Sequence, residues 1–133
     1  VLGKKVAETS LAPGDHGTTY GGNPFVCAAV SKVFDLYEKE QIVDHVQKVG
    51  AYLEEKLNVL VDKYDFLKER RGKGLIQGLE VEGRPVGEIV NRALEHGLII
   101  ITAGSNVLRF VPPLVIEKKH VDEMIAKLKK CLQ

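Results

Sequence analysis

The chain has 133 residues, 44% of them apolar and 28% charged, with 19 basic and 18 acidic side chains and a net charge of +1. That is the make-up of one ordinary globular domain, or of a piece of a larger chain, with enough apolar material for a real core. The near-neutral balance excludes the basic footprint of a nucleic-acid binder, and no apolar run approaches the ~18 residues a membrane helix needs.

Residues 1–22 show little periodicity and carry Gly3, Pro13, Gly14, Gly17, Gly21 and Gly22, the texture of a loop. Val1-Leu2-Gly3-Lys4-Lys5 has no hydrophobic signal core, which argues against secretion, and the missing initiator Met leads us to expect a natural chain that begins upstream. Asn23-Pro24 reads as a helix start, with Asn accepting from a free amide and Pro at the first helical position. Val26, Ala29, Val30, Val33, Phe34 and Tyr37 carry that helix to about Lys39. A second helix has the cleanest pattern in the chain. Ile42, Val46, Val49, Leu53, Leu57, Leu60 and Tyr64 follow at intervals of 4, 3, 4, 4, 3 and 4, one apolar stripe. Whether Lys39–Gln41 is a kink or a turn between two helices is open at this level.

Residues 66–71 and 75–81 predict two short strands around Gly72-Lys73-Gly74. Pro85 opens a helix through Val86, Ile89, Val90, Ala93 and Leu94, and Gly97 ends it. Leu98-Ile99-Ile100-Ile101-Thr102 predicts a buried strand. A turn at Ala103-Gly104-Ser105-Asn106 leads into a strand over Val107–Val111, which Pro112-Pro113 stops. The last helix carries Val121, Met124, Ile125, Leu128 and Leu132, with Lys127, Lys129 and Lys130 at the end that favours positive charge. Two helices followed by β-β-α-β-β-α predict an α+β, two-layer architecture: a small sheet covered by helices, preceded by long connecting helices.

The candidate chemistry is concentrated at two places. In His16-Gly17-Thr18-Thr19-Tyr20-Gly21-Gly22-Asn23-Pro24, hydroxyls and glycines lead into a helix N-terminus, a combination suited to a phosphate. A turn and helix cap in which the Thr side chains bond local backbone explains the same residues. The segment is neither a Walker loop nor a GxGxxG fingerprint. The second place is Arg109. Strand alternation groups it with Val107 and Val111, opposite Leu108 and Phe110, and its fork suits a carboxylate. An arginine facing water on an edge strand, or an internal ion pair, is the competing reading. Arg70-Arg71-Gly72-Lys73-Gly74 reads as a solvated hairpin tip, His45 and His120 as surface residues, and Met124 as core. Cys27 and Cys131 are far apart and read as free thiols of a reducing, cytoplasmic compartment. His16, His45, His96 and His120 never fall at a metal-protease spacing, so no metal site is expected.

The loop motif with Cys27-Ala28-Ala29 after it, the run Gly72-Lys73-Gly74-Leu75-Ile76-Gln77-Gly78 and the run Val107-Leu108-Arg109-Phe110-Val111-Pro112-Pro113-Leu114 together resemble the class III, ornithine-type aminotransferases. Order and spacing agree over essentially the whole chain, and the likeness is greatest to the branch acting on N-acetylornithine. The resemblance implies the C-terminal part of a fold-type I enzyme dependent on pyridoxal 5'-phosphate. Residues 1–22 would close the large cofactor-binding domain, 23–64 would be connecting helices, and 65–133 a small α+β domain. It further implies that Thr19, with Thr18 beside it, contacts the cofactor phosphate of the neighbouring subunit, that Arg109 grips the substrate carboxylate, and that the enzyme is a cytoplasmic homodimer acting on amino acids and 2-oxo acids. The family's Schiff-base lysine lies in a Lys-x-Leu-Gly-Gly-Gly-x-Pro-Ile-Gly-Ala segment. Neither Lys4 nor Lys5 sits in one. These residues alone are therefore expected to contain no catalytic residue and to be inactive. The competing readings are another member of the class (acting on ornithine, succinylornithine or 4-aminobutyrate) and a non-catalytic module that binds an anion or a protein.

Overall fold

The apolar stripe of residues 42–64 and the alternation after it dictate most of what the computed structural model contains, which describes residues 5, 10, 12 and 14–133. Of the loop expected over residues 1–22, the part at Gly3, Lys4 and Pro13 lies outside the described residues. The chain divides into two compact units, residues 1–36 and 37–133. The elements are α1 (Pro24–Lys39), α2 (Ile42–Lys63), β1 (Leu67–Lys73), β2 (Ile76–Val81), α3 (Val86–Glu95), β3 (Ile101–Ala103), β4 (Val107–Phe110) and α4 (Lys118–Cys131). Asn23 caps α1 as expected, its Oδ1 accepting from Val26 N–H at 3.0 Å. The break before α2 is a true turn. Gln41 takes a left-handed conformation, φ 49°, which no continuous helix tolerates.

Within residues 37–133 the strands form one antiparallel sheet in the order β1-β2-β4-β3. Leu79 pairs with Leu108 and Gln77 with Phe110, so one face of the sheet carries the apolar set. Against it lie Leu53, Leu57 and Leu60 of α2, Ile89 and Ala93 of α3, and Val121, Ile125 and Leu128 of α4, all buried. The fold is the expected α+β: helices on one face of a small sheet, with the other face open. Each fully buried leucine contributes roughly 1.5–3 kcal/mol relative to an exposed one.

The segment Leu98–Thr102 departs from expectation. Gly97, at φ 68°, ends α3 in a Schellman motif: Gly97 N–H donates to Leu94 C=O at 3.0 Å and Leu98 N–H to Ala93 C=O at 2.8 Å. That cap takes the Leu98 amide out of strand pairing. Regular pairing starts only at Ile101, opposite Arg109, and β3 is a three-residue edge strand rather than a buried one. Ile99 is 83% exposed.

The basic run 70–74 is also more than a tip. Arg70 points to the core side, where it donates to Glu54 Oε1 (2.6 Å), Asn58 Oδ1 (3.0 Å) and Gln77 Oε1 (2.8 Å). Gln77, 1% exposed, donates in turn to Gly74 C=O at 2.8 Å. A buried amide with both ends satisfied holds the hairpin turn against α2. His45 is half-buried rather than superficial, its Nε2 2.7 Å from Ile116 C=O. Met124 is half-buried and packs against the core.

Candidate functional site

The two candidate places fall in different compact units. In the first unit, the loop after Gly14 tightens into α1 through local bonds. Thr18 Oγ1 accepts from Gly21 N–H at 3.2 Å, and the Asn23 side-chain amide donates to Tyr20 C=O at 2.5 Å. A Cβ at Gly21 would lie 2.2 Å from Thr18 Cγ2, so a side chain there would displace the Thr18 side chain that accepts from the Gly21 amide. Gly22 adopts φ 76°. The Thr18 hydroxyl and the Gly21 and Val26 amides are thus used by the turn and the cap. Thr19 differs. Its side chain is exposed, and among the described residues its hydroxyl has no partner. A free hydroxyl on a glycine-flanked loop leading into a helix N-terminus fits a phosphate oxygen as acceptor, and no carboxylate is bonded to it. Asp15 on the same loop is engaged by Ala12 N–H at 2.7 Å.

In the second unit, Arg109 lies on β4, which is flanked by β2 and β3 and is not an edge strand. Leu108 and Phe110 face the core, so period-2 alternation turns Arg109 to the open face with Val107. Its cross-strand partners are Gly78 on β2 and Ile101 on β3. Gly78 offers no side chain; a Cβ built there would meet Val107 Cγ1 at 3.0 Å. Ile101 is 46% exposed and Ile76, on the same face, is 62% exposed. Among the described residues Arg109 makes no ion pair, unlike Arg70 and Arg71. An exposed guanidinium beside Val107 and Ile101, with a bare backbone position next to it, can accept a planar carboxylate bidentately. Of the competing reading, the edge strand and the internal ion pair do not describe Arg109 among the described residues, whereas its facing water does.

Register is what the sequence could not supply here. The facing of Arg109 follows from alternation, but its neighbours Gly78 and Ile101 come from elements 31 and 8 positions away. Among the described residues no group of three or more His, Cys, Asp or Glu side chains could hold a metal. No helix is long and apolar enough to cross a membrane.

The family profile described as "Aminotransferase class-III" matches residues 1–132. An acetylornithine aminotransferase of Caldanaerobacter subterraneus subsp. tengcongensis is 45% identical over 127 residues, covering 93% of this chain and 32% of that protein. The crystal structure of acetylornithine aminotransferase from Elizabethkingia anophelis superimposes with a TM-score of 0.79 at 28% identity, over 92% of this chain and 31% of the other. An ornithine δ-aminotransferase of Plasmodium falciparum gives a TM-score of 0.80 at 31% identity, over 92% and 32%. The chain spans about a third of the length of the relatives it matches.

Proposed function

The chain belongs to the class-III aminotransferases, and from that premise we propose that in the full-length protein it forms part of an enzyme moving an amino group between N2-acetyl-L-ornithine and 2-oxoglutarate, a step of arginine biosynthesis. The observation that carries the proposal is Arg109, exposed and without an ion-pair partner among the described residues, on a central strand opposite bare Gly78. A substrate carboxylate gains two parallel charge-assisted hydrogen bonds from such a fork, and their direction fixes how the substrate lies.

Pyridoxal 5'-phosphate, when bound, supplies the electron sink for the carbon that loses its amino group. Thr19 would donate its hydroxyl to the cofactor phosphate, with Thr18 beside it holding the loop in shape through Gly21. The Thr19 contact serves the neighbouring subunit's cofactor, so the reading includes a homodimer with shared active sites, in the cytoplasm. The 133 residues by themselves contain no lysine in the family's Schiff-base segment and are inactive on this reading.

The test is Arg109→Lys in the full-length protein. Lysine keeps the charge and loses the fork, which costs one charge-assisted hydrogen bond and raises the KM for 2-oxoglutarate about tenfold. An unchanged KM would sink the role. A second reading, ornithine as amino donor, is supported by the likeness to ornithine aminotransferase structures. Comparing kcat/KM for the two donors decides between them.

A further inference from the structure

Arg109 shares the open face of the sheet with other charges, and one is the wrong sign for a carboxylate site. Glu80 on β2 pairs with Val107, two residues from Arg109 on the same face. That diagonal separates Cα atoms by about 7–8 Å, within reach of two long side chains, and opposite charges so placed attract. Glu80 nevertheless bonds elsewhere. Its Oε2 accepts from Arg71 Nη2 at 2.7 Å and its Oε1 from Asn106 Nδ2 at 3.0 Å. Arg71 is anchored in turn, its Nε 2.8 Å from Glu69 Oε1. Asn106 is fixed through its backbone, its carbonyl accepting from Val81 N–H at 2.8 Å. Both oxygens of this acid are therefore occupied by partners other than Arg109.

We propose that Arg71 and Asn106 are positioning residues that hold Glu80 off Arg109 and thereby keep the guanidinium open to the substrate carboxylate. The proposal rests on the substrate-binding role assigned to Arg109 above. Arg71 is more than half exposed, so its pair with Glu80 adds little to stability. Its consequence is the direction in which the Glu80 carboxylate points. Released, Glu80 is a tethered carboxylate competing with the substrate. An exposed pair favoured about two- to fivefold over the open state weakens carboxylate binding by one plus that factor, about three- to sixfold.

The experiment uses the full-length holoenzyme carrying Arg71→Gln and Asn106→Ala together, titrated with 2-oxoglutarate by calorimetry and assayed in parallel. We expect Kd and KM for 2-oxoglutarate to rise about three- to sixfold with kcat changing far less, and addition of Glu80→Gln to restore both. An unchanged Kd overturns the proposal. So does a weakening that Glu80→Gln leaves in place, because Arg71 or Asn106 would then act through the fold or touch the ligand directly. Arg109→Gln separates the two levels. If it leaves the Kd unaltered, the Arg109 assignment itself fails; if it weakens binding while the paired variant does not, only the positioning role falls.

Discussion

Gly50 lies in the middle of α2, where glycine costs about 1 kcal/mol of helix stability relative to alanine. A Cβ at that position would sit 2.8 Å from the Cα, carbonyl carbon and oxygen of Gly74 in the β1–β2 turn. All three contacts are backbone, so the helix or the turn must move. The Gly74 carbonyl is also the acceptor that Gln77 uses, and Gln77 in turn receives Arg70. Moving the turn therefore disturbs a buried polar chain as well as a van der Waals contact. Overpacking of this kind costs about 1–3 kcal/mol, against a propensity gain near 1. The control is Gly87 in α3, where a new Cβ meets nothing within 4 Å and only the propensity gain, at most about 1 kcal/mol, remains. Urea unfolding of the two alanine variants should then place Gly50→Ala below Gly87→Ala by about 1–3 kcal/mol, or at least about 4 °C in Tm. Equal or greater stability for Gly50→Ala would refute the close approach of α2 to the hairpin.

Three further outcomes are expected. Thr19→Val in the full-length protein removes a charge-assisted hydrogen bond to phosphate and should weaken cofactor retention about tenfold or more, read by absorbance after dialysis; full retention would count against the assignment. Under native conditions a thiol reagent should label exposed Cys27 and spare Cys131, which is buried, donates to Lys127 C=O at 3.2 Å and has its thiol pKa pushed up by burial; equal labelling would contradict this. Glu117 is held below its ordinary value of 4.5 by the Lys119 ammonium, 3.0 Å away, so its contribution is full above that value and is lost as pH falls through the lower folded one. The stability gap between the native chain and Glu117→Gln should therefore narrow from about pH 6 toward about pH 2, and a gap that widened would have the sign wrong.

Local patterns carried the elements, because helix and strand periods, caps and turn residues act over a few neighbours. The stripe from Ile42 to Tyr64 became α2, Asn23-Pro24 became a capped start, Gly97 became a helix stop, and alternation turned Arg109 away from the core. The same local signals point the wrong way at Leu98–Ile100. An apolar run reads as a buried strand until a helix cap claims its first amide. Arg70 looked like a solvated tip because its partners Glu54 and Asn58 lie 16 and 12 residues away on a different element. The strand order β1-β2-β4-β3, the pairing of Arg109 with Gly78 and Ile101, and the capture of Glu80 by Arg71 and Asn106 all depend on chain segments brought together from a distance. No residue type announces such a meeting: which side chains become neighbours is settled by burial of a shared apolar face and by strand register, and both are properties of the packed whole.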